Sequence, residues 1–179
     1  MGIKSITTKR GDAGKSRLFS GEEVSKNSAR LDTYGDIDEL VAILGLARFH
    51  AQKKEVKESL LFIQNAFFPI ASELATTKAK LQRLPRRVDE HFLAELEERR
   101  ERLEPMIKIP DGFVVSGDCL SAAHIDHART VCRRVERKIV SLFETGDIEN
   151  KVLLVWLNRL SDYLYLLARH EEEHPRMVS

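Results

Sequence analysis

Cysteine is scarce in this chain. Only Cys119 and Cys132 occur among 179 residues, and they form no paired motif. That excludes a disulfide framework or a cysteine-based zinc site, and predicts buried or half-buried thiols in a reducing compartment. An excess of one charge is also missing. Lys plus Arg number 29 and Asp plus Glu 28, a formal net charge of +1, so the concentrated positive field that nucleic-acid backbones require is absent. No apolar run approaches the roughly 18 residues needed to cross a bilayer. Met1 to Arg10 contain no apolar core of a secretory signal. These absences predict a cytoplasmic protein that engages neither nucleic acid nor membrane. No strand-like alternation, internal repeat or linker stands out, so a single all-α domain over 1–179 is expected. With 42% apolar and 32% charged residues, the chain has material for a real core and a charged exterior.

Helical periodicity begins at Asp36. A first helix is expected over Asp36–His50, its N-terminus favoured by Asp36, Asp38 and Glu39. A second spans about Val56–Ala75, where Val56, Leu60, Ile63, Phe67, Ile70 and Leu74 alternate steps of four and three, the signature of a bundle seam. Pro69 falls inside it and predicts a kink. A third covers about Arg87–Leu103, with the Glu- and Arg-rich run Glu95–Glu104 read as a solvated face. A fourth runs from Ser121 to Thr145 and stops at Gly146, and a fifth from Glu149 to His170. Residues 1–32 read as an irregular phosphate- or nucleotide-binding segment, 33–174 as the helical bundle, and Ile107–Cys119 as a second loop.

Several motifs dissolve on inspection. Gly11-Asp12-Ala13-Gly14-Lys15-Ser16 ends like a P-loop but has two residues between its glycines instead of four, and no buried strand precedes it. An anion nest of another type, beside Lys9, Lys15 and Lys26, stays open. His170-Glu171-Glu172-Glu173-His174 matches a zinc-protease pattern but reads as a charged, frayed helix end. His124 and His127 have no acidic partner placed by sequence.

The fourth helix carries more information. Arg129, Arg133 and Arg137 recur every four residues, opposite the apolar stripe Ala128, Val131, Val135 and Ile139, with Asp126 on their face and Glu136 beside it. Stacked like charges repel, so something negative should face them: neighbouring carboxylates or an anionic ligand. On the fifth helix, Asn158, Asp162, Tyr165 and Arg169 line one edge of the core. Asp162 is expected to pair with an arginine of a neighbouring helix.

Three blocks sharpen this picture. They are Thr8-Lys9-Arg10-Gly11-Asp12 with Gly14 and, further on, Tyr34-Gly35-Asp36-Ile37-Asp38-Glu39-Leu40; Ala128 to Arg137; and Leu157-Asn158-Arg159-Leu160-Ser161-Asp162 with Ala168-Arg169. In order and spacing they resemble the PduO-type ATP:cob(I)alamin adenosyltransferases. The resemblance implies a five-helix bundle assembled as a homotrimer, with active sites between adjacent subunits. It implies transfer of the 5′-deoxyadenosyl group of ATP to Co(I) of cobalamin or another corrinoid, releasing triphosphate. Cobalt is then the nucleophile and the protein needs none of its own. By the same resemblance, Thr8, Lys9, Arg10, Gly11, Ser16 and Lys26 would line the ATP site, completed by Arg133, Arg134, Glu136 and Arg137. Asn158 would help hold Mg²⁺ on the phosphates. Asp38, Arg129, Phe113, Asp162 and Tyr165 would form or support the corrinoid pocket, and Arg133, Asn158 and Phe113 would matter most to turnover. A reductase and an adenosylcobalamin-dependent acceptor enzyme are implied partners. An ATP-gated corrinoid carrier with weak or no catalysis is the alternative. The chain departs from the family pattern at Arg10, Lys15 and Arg17, which make the phosphate loop more basic, and at Ser116-Gly117-Asp118, which puts an acid near the expected corrinoid edge.

Overall fold

The computed structural model describes Thr7, Lys9 and residues 11–109, 111–172 and 175–178. Five helices carry the fold: α1 (Ala29–His50), α2 (Lys54–Leu74), α3 (Glu90–Leu103), α4 (Leu120–Glu144) and α5 (Lys151–Glu171). Short 3₁₀ turns at Lys78–Arg83 and Glu104–Met106 flank α3. The absence of strands needs correcting, because β1 (Lys15–Arg17) and β2 (Glu23–Ser25) pair antiparallel, with Ser16 opposite Val24. At three residues each, they are too short for an alternation pattern to register.

The helix boundaries follow their caps. Helix α1 starts at Ala29, not Asp36, because the Ser28 hydroxyl accepts from the Leu31 amide at 3.4 Å. Gly35 therefore lies within the helix. Helix α3 starts at Glu90, later than expected, with Asp89 accepting from the Phe92 amide at 2.9 Å. Asn150 caps α5 through the Val152 amide at 3.0 Å. Helix α4 ends as expected: Gly146, at φ 74°, turns the chain back so that the Asp147 amide reaches the Leu142 carbonyl at 2.8 Å. Pro69 sits inside α2 without ending it.

Helix α4 packs between α1 and α5, and α2 closes over α1. The seam expected for α2 is buried, with Val56, Leu60, Ile63, Ile70 and Leu74 wholly inaccessible. Trp156 of α5 fills the centre, edge-on to Phe67 at 5.5 Å and tilted against Phe92 at 5.6 Å. Both cysteines meet expectation, Cys132 buried and Cys119 half-buried. The α3 surface carries the expected pairs one turn apart, Arg100–Glu104 and Glu98–Arg102. Among the described residues no helix is long and apolar enough to span a membrane.

Buried charges tie the ends of the helices together. Arg30 donates to the carbonyls of Leu74 and Asp147, each at 2.6 Å, and so closes the C-terminus of α2. Glu73, 3% exposed, accepts from Arg87, Asn150 and the Val88 amide. The frayed, charged end expected for α5 is instead a joint. Glu171 is buried and accepts from the Gln52 and Lys53 amides at the start of α2 and from Ser121 of α4. Glu171→Ala leaves those donors unanswered, and should cost about 2–3 kcal/mol, the scale for bonds to a charged acceptor. A urea titration should show a lower midpoint at unchanged slope.

Candidate functional site

The N-terminal loop and its hairpin carry the first group of candidate residues. Lys9 adopts φ 59°, and the Asp12 and Gly14 amides turn back to the Lys9 and Gly11 carbonyls at 3.3 and 3.2 Å. The Lys26 ammonium lies over Gly11, where a β-carbon would stand 2.8 Å from Nζ, so only glycine leaves that cation in place. Gly11 and Lys26 are thereby brought together, and Ser16 lies on β1 opposite Val24. Thr8 and Arg10 lie outside the described residues. Lys15 does not join the nest: its ammonium is 2.6 Å from Glu23 across the hairpin. Part of the extra loop basicity is thus answered within the hairpin.

Glu22 fastens this hairpin to the bundle. Its carboxylate takes bonds from Lys80 at 2.8 Å, Thr77 at 3.1 Å and the Ser20 hydroxyl. Those bonds, Lys80 first and Ser20 next, hold its pKa down to about 2.

The second group of candidate residues lies on the outer face of α4. Arg133 and Arg137 are exposed and have no carboxylate partner among the described residues. Arg134, one position on, is committed to α1: its guanidinium is 3.1 Å from Asp36 and also meets Glu39, while Lys138 bridges Asp32 and Asp36 at 2.7 and 2.8 Å. The expected ATP ligand Arg134 thus already has an intramolecular role. Asn158 of α5 donates to Glu136 at 3.3 Å, and its carbonyl oxygen accepts from Arg159 at 3.1 Å. A carboxylate and an amide oxygen therefore sit beside the two free arginines.

The corrinoid-pocket residues divide. Phe113 is 85% exposed at the tip of its loop, and Asp38 is exposed on α1. Tyr165 is half-buried, with the Arg169 guanidinium 5.0 Å above its ring. The expected ion pair of Asp162 is not made: Asp162 is exposed and has no ion-pair partner among the described residues. The arginine of that stripe that needs pairing is Arg169, 2% exposed. It contacts Asp126 of α4 at 2.6 Å and Glu172 at 2.7 Å. Asp126, read as part of the outer arginine face, is itself buried and reaches Arg129 at 3.5 Å. Its position one residue after Ile125 and four after Ala122, both inaccessible, was the signal that it faces inward. Burial pushes Glu172 above the usual carboxylate range, against the pull of Arg169. Burial also pushes the Cys132 thiol far up, so it supplies no thiolate nucleophile.

Asp118 of the departing Ser116-Gly117-Asp118 segment accepts from the Arg176 amide at 2.6 Å. It anchors the chain's C-terminal strand, whose residues pair with the Phe113 loop: Val115 N to Arg176 O at 2.8 Å and Val178 N to Phe113 O at 2.9 Å. Gly112 and Gly117, at φ 131° and 117°, make the turns that allow this. The other sequence candidates stay apart. His124 stacks on His50 at 5.6 Å, and His174 lies outside the described residues. Among the described residues no three His, Cys, Asp or Glu side chains gather as a metal site.

A helical bundle that presents two exposed arginines on α4 without carboxylate partners among the described residues, and a basic glycine loop docked at the end of α2, defines a class of helical proteins with candidate anion-binding groups. The chain belongs to the cobalamin adenosyltransferase family, whose model matches residues 6–171. It is 35% identical over 93% of its length to the corrinoid adenosyltransferase PduO of Salmonella typhimurium, of which it spans about half (49%). It is 33% identical to a corrinoid adenosyltransferase of Citrobacter freundii, covering 95% of this chain and 96% of that one. A variant PduO-type ATP:corrinoid adenosyltransferase from Lactobacillus reuteri, complexed with cobalamin and ATP, superposes with a TM-score of 0.85 at 28% identity, over 97% of this chain and 99% of that one.

Glu22 carries a test of the hairpin's attachment. Because its folded pKa lies below the ordinary carboxylate value, the docking it provides is complete above about pH 4.5 and fades as pH falls towards 2. Hydrogen exchange at the Thr77 amide, which donates to Ser20 at 3.2 Å, should speed up over that window beyond the intrinsic rate change. Glu22→Gln should show the faster exchange already at neutral pH.

Proposed function

We propose that this protein transfers the 5′-deoxyadenosyl group of ATP to the Co(I) centre of a corrinoid. The observation that carries the reading is the pair Arg133 and Arg137, free guanidinium groups on α4 beside Glu136 and Asn158, in a chain of this family. Unlike Arg134, they are left available to an external anion. A polyphosphate matches them in charge and in the bidentate geometry guanidinium favours.

In this reading Co(I) donates its electron pair to C5′, a cobalt–carbon bond forms, and the C5′–O bond breaks with its pair leaving on triphosphate. The protein holds the two substrates in line and stabilises the departing charge. Lys9, Gly11, Ser16 and Lys26 take part of the polyphosphate, with Thr8 and Arg10 as further proposed contacts. Arg133 and Arg137 take the rest. The oxygens of Asn158 and Glu136 are hard donors suited to Mg²⁺, which keeps most of its shell as phosphate and water. When bound there, the ion would neutralise phosphate charge. Phe113 and Tyr165 offer the corrin ring an apolar wall, with Asp38 and Arg129 at its margin and Asp162 as a peripheral polar group.

The site is proposed to lie between adjacent subunits of a homotrimer. In support, Phe49 and Phe68 are 81% and 69% exposed, and Tyr34 and Phe68 flank Asp38 around a surface recess. A cytoplasmic setting, a reductase that supplies Co(I) and an acceptor for the product belong to the same reading.

Mixing the protein with ATP and chemically reduced cobalamin should give the alkyl-cobalt absorbance spectrum. A spectral change from binding alone marks a carrier instead. Arg133→Ala should weaken ATP binding by roughly 10- to 150-fold, the equivalent of one charge-assisted bond of about 1.5–3 kcal/mol; a calorimetric Kd equal to wild type removes Arg133 from the site. Phe113→Ala should leave ATP affinity unchanged and lose most turnover when a reduced flavoprotein supplies the electron. Unchanged turnover removes Phe113 from that role.

A further inference from the structure

A cavity of about 620 Å³ lies behind the Phe113 loop, between that loop, the C-terminal strand, the α1–α2 junction and the end of α5. Of the residues given a role above only Lys53, Arg169 and Glu172 line it, yet it adjoins the proposed corrinoid site. Its wall includes Ile107, Ile109 and Asp111 of the loop that carries Phe113. Its floor, Arg169, stacks on Tyr165 and bonds to Asp126, which contacts Arg129.

The lining is of two kinds. Met106, Ile107, Ile109 and Met177 give an apolar wall. Lys53 and Lys108 bring ammonium groups with no carboxylate partner among the described residues, and the Lys53 ammonium is fixed by donating to the His170 carbonyl. Of the two acids present, Glu172 is consumed by Arg169 and Asp111 is exposed. Burial, and next Lys53, hold His170 below its ordinary pKa, so at neutral pH the cavity's free positive charge is that of the two lysines. A cavity with a fixed ammonium, a second one at its rim and an apolar wall suits a ligand that joins one anionic linker to one aromatic ring.

A complete corrinoid has such a part: the side arm in which a phosphodiester links the macrocycle to a ribose and an aromatic base. When that base leaves cobalt, the arm must go somewhere. We infer that this cavity receives the phosphodiester-linked base arm of the corrinoid, with Lys53 and Lys108 on the phosphate and Met106, Ile109 and Met177 against the base. The inference rests on the adenosyl-transfer reading and makes it more specific: the substrate is a complete corrinoid, and the cavity holds its displaced arm off the metal. The C-terminal strand that Asp118 anchors is then one wall of a substrate pocket.

Equilibrium binding of cob(II)alamin and of cob(II)inamide, which lacks the arm, tests this on the ATP-loaded protein. The wild type should bind cob(II)alamin about tenfold or more tightly than cob(II)inamide, the gain of at least one charge-assisted bond. Lys108→Ala, and more fully Lys53→Ala with Lys108→Ala, should erase that preference while leaving the affinity for cob(II)inamide unchanged, which also shows that the variants fold. Equal affinities in the wild type, or a preference that survives in the double variant, overturn the inference. Adenosyl transfer to both corrinoids without preference overturns the arm pocket and spares the transfer reading. No transfer to either corrinoid overturns both.

Discussion

Buried charge must be answered, and in this protein the guanidinium of Arg169 is the charge around which one end of the bundle is organised. It lies 2% exposed between Asp126 of α4 and Glu172 just beyond α5. Each contact spans a different joint, so the pairing fixes the register of α4 against α5 and the direction in which the chain leaves α5. That exit sends residues 175–178 back along the Phe113 loop, where the Asp118 carboxylate receives them. Truncating one member of such a set leaves an uncompensated buried charge, which typically costs 3–5 kcal/mol. The arrangement is therefore strained towards one geometry rather than merely compatible with it.

The same rule separates structural from available arginines. Arg30, Arg134 and Arg169 are each met by carboxylates or helix-end carbonyls. Arg133 and Arg137 are not, among the described residues. The difference divides α4 lengthwise: its apolar side is core, its α1-facing edge is an ion-pair lattice with Asp32, Asp36 and Glu39, and its remaining face is left positive. A further cation, Lys26, lies over Gly11 on the hairpin. Among the described residues neither Arg133 nor Arg137 has a carboxylate ion-pair partner, which leaves both available to a polyanionic substrate.

The periodic parts of this structure were legible in the sequence. The α2 seam and the arginine spacing on α4 follow from 3.6 residues per turn; the seam is buried and Arg133 and Arg137 are exposed as the spacing puts them, whereas Asp126, read onto the arginine face, is buried. What periodicity gives is a direction around a helix, not a depth along it. Asp162 and Arg169 share a stripe on α5, but only Arg169 lies where the returning chain covers it, so the pairing went to Arg169. Helix α1 was read too short because its start depends on one hydroxyl, Ser28, within a polar run that resembles loop. The hairpin strands are too short to show alternation. The role of Asp118 was out of reach of any local rule, since its partner Arg176 is 58 residues away. The arginine face proposed for the nucleotide was therefore readable from local spacing, and the surroundings of Phe113, built by the chain's return, were not.

Adenosyl transfer leaves its mark on the ATP phosphates. Phosphorus-31 NMR of a reaction containing the protein, ATP and chemically reduced cobalamin separates the possibilities in one spectrum. Attack at C5′ predicts intact triphosphate, one equivalent for each cobalt–carbon bond formed, with no ADP or orthophosphate. Release of ADP and orthophosphate, or ATP left unconsumed while cobalamin is bound, would contradict it.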